Sequence, residues 1–319
     1  MEYFQAYQTR AAQTVAVINE HIPALTVGGF TAANLQTQSQ ALNGLAQARD
    51  NALADYDQTN NAENQGFLFV SGLTLSLPQA AEGDLDDGID AESPLLDLLS
   101  PAYSIKPRTT ASALERGTKV VAALTKINAY LAALPAPRSP ITSGGKGIAD
   151  LSAAMGAQPA KEQTVEDRAS DVSTARSTLR NAAVAVDRLN KRFYSRLQSE
   201  SRSNANLDAA LGQIVTESAN QPGTLGIRSL LQGGINYLHI LLSYENGTYD
   251  GTATNTVEWQ IVGTDGGTNS DFAHSDAVDP SGNALGPFTV GQTVKLRTRV
   301  SNANGTTTGS VRTLAIVAG

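Results

Sequence analysis

Few side chains in this sequence are spaced to do chemistry. Three histidines, His21, His239 and His274, fall on three separate segments. A metal site or a nucleophilic triad would need them to converge with carboxylates, and nothing in their spacing promises that. Each reads as a surface or hydrogen-bonded histidine. Ser143-Gly144-Gly145-Lys146-Gly147 hints at a phosphate loop. It lacks both the Gly-Lys-Ser/Thr ending and a buried strand before it, so it reads as a connector. The run Asp84-Leu85-Asp86-Asp87-Gly88-Ile89-Asp90-Ala91-Glu92 offers hard oxygen ligands of the kind Ca²⁺ takes. Its glycine is misplaced for an EF-hand loop, and a solvated acidic turn is expected. Asn246-Gly247-Thr248 and Asn304-Gly305-Thr306 fit the glycosylation acceptor pattern, but Asn-Gly is first a hairpin turn. No catalytic, cofactor-binding or metal-ligating residue is nominated, no cofactor is expected, and the chain reads as a non-enzyme.

The elements that would carry these residues divide into two parts. Up to about residue 218 apolar side chains recur at three and four; beyond it they alternate. Helix one is expected over 2–22, stopped by Pro23. A turn at Thr26-Val27-Gly28-Gly29-Phe30 leads to Thr31 as the cap of helix two. Helix two carries Leu35, Leu42, Leu45, Ala52 and Tyr56 near heptad spacing and is expected to fade around Asn60-Asn61. After the acidic turn a short helix covers 94–99, with proline in its first turn. Helix three runs from Thr109 or Thr110 to Leu134. A short helix at 147–154 precedes a long one at 160–200, seamed by Val165, Ala169, Val172, Leu179, Val186, Leu189, Phe193 and Leu197. A last helix is placed at 204–217. Val17-Ile18-Asn19 with Ile22 and Leu25 matches Lys126-Ile127-Asn128 with Leu131 and Leu134, so two related hairpins would make an up-and-down four-helix bundle.

Strands are expected at 236–245, 255–264, 271–278, 287–290, 293–302 and 310–317, joined by turns rich in Gly, Asn and Asp. Val257, Trp259 and Ile261 share one face, as do Val294, Leu296, Thr298 and Val300, while Lys295, Arg297 and Arg299 point to solvent. Val257-Glu258-Trp259, the stretch Val290 to Gly305 with its Asn302-Ala303-Asn304-Gly305 corner, and Ser310-Val311-Arg312-Thr313-Leu314 resemble a fibronectin type III domain. The resemblance implies that Trp259 is a core tryptophan and that the module binds or spaces; it assigns no activity. The expected fold is therefore α plus β, an N-terminal antiparallel bundle of four long helices and a C-terminal fibronectin type III-like β-sandwich. The domains are 1–220, a linker 221–234, and 235–319.

Charge is uneven. Through residue 100 the only basic side chains are Arg10 and Arg49, against thirteen carboxylates. Residues 101–217 are net basic, with Arg176, Arg180, Arg188, Lys191, Arg192 and Arg196 on one stretch, opened by Glu162, Glu166, Asp167 and Asp171. A nucleic-acid surface is one reading of that stretch. Complementary helical halves, with basic residues near a helix C-terminus, is the reading adopted. Cysteine is absent, which removes disulfides and thiolate metal sites. The longest apolar run, 66–77, is too short for a membrane span and contains glycine and serine. The N-terminus lacks the pattern of a secretory signal. The Ala-, Thr-, Asn- and Gly-rich, lysine-poor composition is of a kind met in surface layers, appendages and virions, so an extracellular surface or a virion is favoured over the cytoplasm. The chain is expected to be structural and to associate with itself into a lattice, tube, filament or shell, without nucleic acid. The alternative is a soluble adhesin whose sandwich binds a cell-surface glycan or protein.

Overall fold

The computed structural model describes residues 3–85, 89, 91–214, 224–233, 236–246, 253–265, 272–278, 283–302 and 305–318. The chain is mixed: a long N-terminal helical region is followed by antiparallel sheets. The helices are α1 (Tyr3–His21), α2 (Ala32–Asp84), α3 (Ser93–Asp97), α4 (Ser100–Tyr103), α5 (Thr110–Ala133), α6 (Ile148–Ser201) and α7 (Ala205–Leu211). A two-stranded ribbon, β1 (Thr26–Val27) and β2 (Phe30–Thr31), joins α1 to α2.

Helix starts follow the expected chemistry. Thr31 Oγ1 accepts from the Asn34 backbone N–H while Asn34 Oδ1 accepts from the Thr31 N–H, so each satisfies an orphan donor. Thr109 caps α5 in the same reciprocal way with Ser112. Asn204 accepts from the Leu207 N–H and opens α7, which is shorter than the expected 204–217; residues 215–217 lie outside the described residues.

Two helices are far longer than their local sequence suggests. Helix α2 has 53 residues and does not stop at Asn60-Asn61. Tertiary partners explain the continuation. Asn61 is fully buried, and Gln158 Nε2 donates to both the backbone oxygen and Oε1 of Glu63. Beyond them Val70, Leu73, Leu77 and Ala81 are buried, and packing of this kind outweighs weak propensity. Helix α6 has 54 residues and absorbs both expected helices, carrying Pro159 inside it.

The chain forms two units, one of Met1–Gln58 with Arg168–Ala318 and one of Thr59–Asp167. The expected single four-helix bundle is corrected accordingly, because the helical core is two clusters. In the first unit Phe4, Ala11, Val15 and Ile18 of α1 pack with Leu35 and Leu42 of α2 and with Val186, Leu189, Phe193 and Leu197 of α6. In the second, Ala113, Val120, Leu124 and Ile127 of α5 pack with Leu151 of α6 and with Val70, Leu73, Leu77 and Ala81 of α2. The clusters follow one scheme. Leu35 and Leu151, Val70 and Val186, Leu73 and Leu189, Leu77 and Phe193 fall at one constant spacing and are all buried. Gly28-Gly29 and Gly144-Gly145 both have left-handed backbones in the turns that precede α2 and α6. Asp150 Oδ2 accepts from the Gly147 N–H just as Asn34 accepts from Thr31.

The C-terminal strands are β3 (Thr224–Gly233), β4 (Tyr237–Asn246), β5 (Thr254–Ile261), β6 (His274–Ala277), β7 (Asn283–Leu285), β8 (Thr293–Asn302), β9 (Gly305–Thr308) and β10 (Arg312–Ala315). One sheet has the order β3-β4-β7; the other runs β10-β8-β5-β6, with β9 also on β8, all antiparallel. Leu225, Leu230, Leu238 and Ile240 of the first share one core with Val257, Val294, Leu296 and Leu314 of the second. Three expectations change here. The expected linker contains β3. Residues 287–290 are not a strand; Pro287 has no N–H for a ladder. Trp259 lies at the margin of the core, where its indole N–H donates to Asp276 Oδ2 at 2.6 Å.

Candidate interaction surfaces

The three histidines do not come together. His21 ends α1, with Nε2 4.0 Å from Glu20. His239 lies over Gly233, where an added Cβ would overlap the ring. His274 stacks on Trp259 at 4.0 Å, and its Nε2 lies 3.1 Å from Asp265 Oδ2. Asp265 also accepts from the Ile261 N–H at 2.7 Å. This Asp–His pair has no hydroxyl bonded to the ring among the described residues, so it braces the β5–β6 edge. Nowhere among the described residues do three His, Asp or Glu side chains gather as a metal-binding group.

The glycine loop before α6 is a closed turn. Ser143 and Lys146 exchange backbone hydrogen bonds, and Asp150 occupies the Gly147 N–H with Lys146 Nζ 3.4 Å from its other oxygen. The Gly147 N–H holds the Asp150 carboxyl below its ordinary pKa, with the Lys146 charge adding to it. A phosphate would have to displace that carboxylate. In the acidic run, Glu82 and Asp84 are exposed, Asp86, Asp87, Gly88 and Asp90 lie outside the described residues, and Glu92 is buried and accepts from Arg138. One oxygen donor of the supposed Ca²⁺ loop is therefore already committed. Gly247, Thr248 and Asn304 of the two acceptor motifs also lie outside the described residues.

The strongest electrostatic feature is buried. Arg312 on β10 is 3% exposed and Asp57 on α2 is 0% exposed. The guanidinium Nε and Nη2 donate to the two oxygens of Asp57, and Nη1 donates to the Ile227 carbonyl. Burial raises the Asp57 carboxyl above its ordinary pKa, opposed by the Arg312 hydrogen bonds and charge and by Arg176. Beside this fork Gln58 Oε1 accepts from the Ala315 N–H. The fork fastens the last strand to a helix 255 positions earlier. The sequence did hold a signal for it. Arg312 takes the alternate position shared with Leu314 and Ile316, and a cation on an apolar strand face requires a buried partner.

The outer face of the larger sheet is not simply solvated. Glu258 accepts from Arg297 Nε at 2.7 Å and from Arg299 Nη1 at 3.1 Å, and Arg297 also lies 4.6 Å from the centre of the Phe272 ring. Burial alone would raise the Glu258 carboxyl; the two arginines outweigh it and hold it below the usual range.

Two exposed helical surfaces stand out among the described residues. On α2, Leu68, Phe69 and Leu75 are 47%, 41% and 43% exposed, with Gly72 between them. On α6, Arg176, Arg180, Arg188, Lys191, Arg192 and Arg196 are all exposed, opposite the buried row Leu179, Val186 and Phe193. Shallow hollows border Ile22 and Glu200 where the β1–β2 ribbon meets α6. No described helix is long and apolar enough to cross a membrane. Neither a family model, nor a curated protein, nor a solved structure matches this chain.

Proposed function

We propose that this chain is a non-enzymatic structural protein that self-associates into a larger assembly through its helical region, with the C-terminal sheets as a surface or inter-subunit contact module. The observation that carries this reading is the stripe Leu68, Phe69 and Leu75. Val172 to Leu197 of the α6 seam and Val70, Leu73, Leu77 and Ala81 of α2 are buried, yet this row stays in water on the same stretch of α2. Leu68 and Leu75 stand seven residues apart with Gly72 between them, a row that a like helix can mesh with. Burying one such side chain contributes about 1.5–3 kcal/mol.

Two finer readings go with it. The matched burial of α2 and α6 and their paired Gly-Gly turns support a duplicated helical hairpin. The orders β3-β4-β7 and β10-β8-β5-β6 support a fibronectin type III-like sandwich. The rival reading, an adhesin or glycan binder, draws on the outer face of β4, where Tyr237 and Leu241 are exposed beside His239.

Sedimentation and negative-stain imaging of the full chain test the main reading. Concentration-dependent particles are expected, weakened by Leu68→Asp with Phe69→Asp. A monomer that persists at high concentration refutes it, and glycan binding by that monomer selects the rival.

A further inference from the structure

We infer that the exposed basic face of α6, built from Arg180, Arg188 and Arg192, is a docking surface for the acidic stretch 82–90 of a second copy of this chain. The inference rests on the self-association reading and adds polarity to it, since the two mating surfaces differ and copies would join head to tail.

Three observations lead there. The first is lack of acidic partners among the described residues. Lys191 is paired with Asp187 at 2.7 Å and Arg196 with Glu200 at 2.6 Å, whereas Arg180, Arg188 and Arg192 have no carboxylate partner among the described residues. Arg188 and Arg192 are also one turn apart, and like charges at that spacing destabilise a helix. The guanidinium of Arg192 lies against Gly28 rather than against an acid. A face that carries this cost within one chain is relieved by an external anion.

The second observation is the internal comparison. Because α2 and α6 bury matched positions, their outer faces can be compared at equal places. Arg180, Arg188 and Arg192 stand where α2 has Asn64, Gly72 and Ser76. Val184 and Ala185 stand where α2 has Leu68 and Phe69. The cores of the two helices agree, while the outer face is apolar on α2 and basic on α6. A merely solvated face would not need a cation at each of these places.

The third observation selects the occupant. Residues 82–90 hold Glu82, Asp84, Asp86, Asp87 and Asp90 without one basic side chain. Of these, Glu82 and Asp84 are exposed. The chain as a whole has a net charge of −7, which repels a long polyanion and argues against nucleic acid as the ligand. Short acidic segments of like copies meet the same arginines locally, within the screening distance. Because the contact joins unlike surfaces, it is heterologous and need not close, which suits a filament or sheet.

The test is a charge swap in the full chain, read by sedimentation. Association of the wild type should weaken as salt rises from about 50 mM to about 500 mM. Arg180→Glu with Arg188→Glu and Arg192→Glu should weaken it at least about tenfold, as should Glu82→Lys with Asp84→Lys, Asp86→Lys and Asp87→Lys. Mixing the two reversed chains should restore association. Far-UV circular dichroism verifies that each is folded, and the salt series on the wild type needs no variant. Association indifferent to salt and to both reversals overturns the docking surface and leaves self-association standing. A wild type that is monomeric at every salt overturns both. A short DNA duplex that binds the wild type, and no longer binds the arginine-reversed chain while association is unchanged, overturns the choice of occupant.

Discussion

Replacing Asp57 by asparagine should be the most damaging single change to the first unit. The amide is nearly the same size, so packing is preserved and only the charge is lost. Arg312 then keeps the Ile227 carbonyl as its acceptor but has no counter-ion, in a site where it is 3% exposed. Removing one partner of a buried pair costs about 3–5 kcal/mol, because the other charge stays desolvated. Total stabilities run roughly 5–15 kcal/mol, so the loss is a large share. Urea unfolding followed by circular dichroism should show the midpoint of that unit fall by about 1 M or more. The double variant Asp57→Leu with Arg312→Met removes both charges and should recover at least half of the loss, since apolar substitutes for a buried pair are tolerated. An Asp57→Asn chain within about 1 kcal/mol of the wild type would refute the reasoning, as would a double variant no better than the single.

Other tests use the same physics. Glu258 is held below its ordinary pKa in the folded chain, so the unfolded chain binds its proton at higher pH. Stability from this group is present above the ordinary carboxylate range and is lost as pH falls through the folded value. Glu258→Gln should flatten the acid limb of a pH–stability curve measured by urea midpoints. At Gly309 a Cβ would stand 2.5 Å from the Leu225 carbonyl oxygen, a backbone atom with little room to move. Gly309→Ala should therefore cost about 3 kcal/mol. Gly44 in α2 has open space around it, and Gly44→Ala should stabilise by about 0.5–1 kcal/mol in the same unfolding assay.

Legibility followed the range of the interactions. The caps at Thr31 and Thr109, the end of α1 near His21 and the strand at 293–302 are local and could be read from neighbouring residues. The continuation of α2 past Asn61 could not. Asn and Gly there are weak helix formers, and Gln158, far along the chain, holds Glu63 beside them. Pro159 reads as a boundary because it lacks an N–H, yet α6 passes through it. Strand β3 was hidden because Gln221-Pro222-Gly223 before it and Gly233-Gly234 at its end resemble a linker. The basic face of α6 was visible as composition. That Lys191 and Arg196 meet carboxylates while, among the described residues, Arg180 and Arg188 do not depends on where the fold places the acids.

The Asp57–Arg312 fork also imposes an order on biosynthesis. Chains fold as they emerge, N-terminal parts first, so α2 leaves the ribosome long before the residue that neutralises its buried acid has been made. Until translation reaches β10, that carboxylate must stay hydrated or protonated, and the helix around Asp57 cannot settle into its final surroundings. A product truncated before residue 312 would retain this defect permanently and offer proteases a loosened site, so β10 has to be made before the helix around Asp57 is secure.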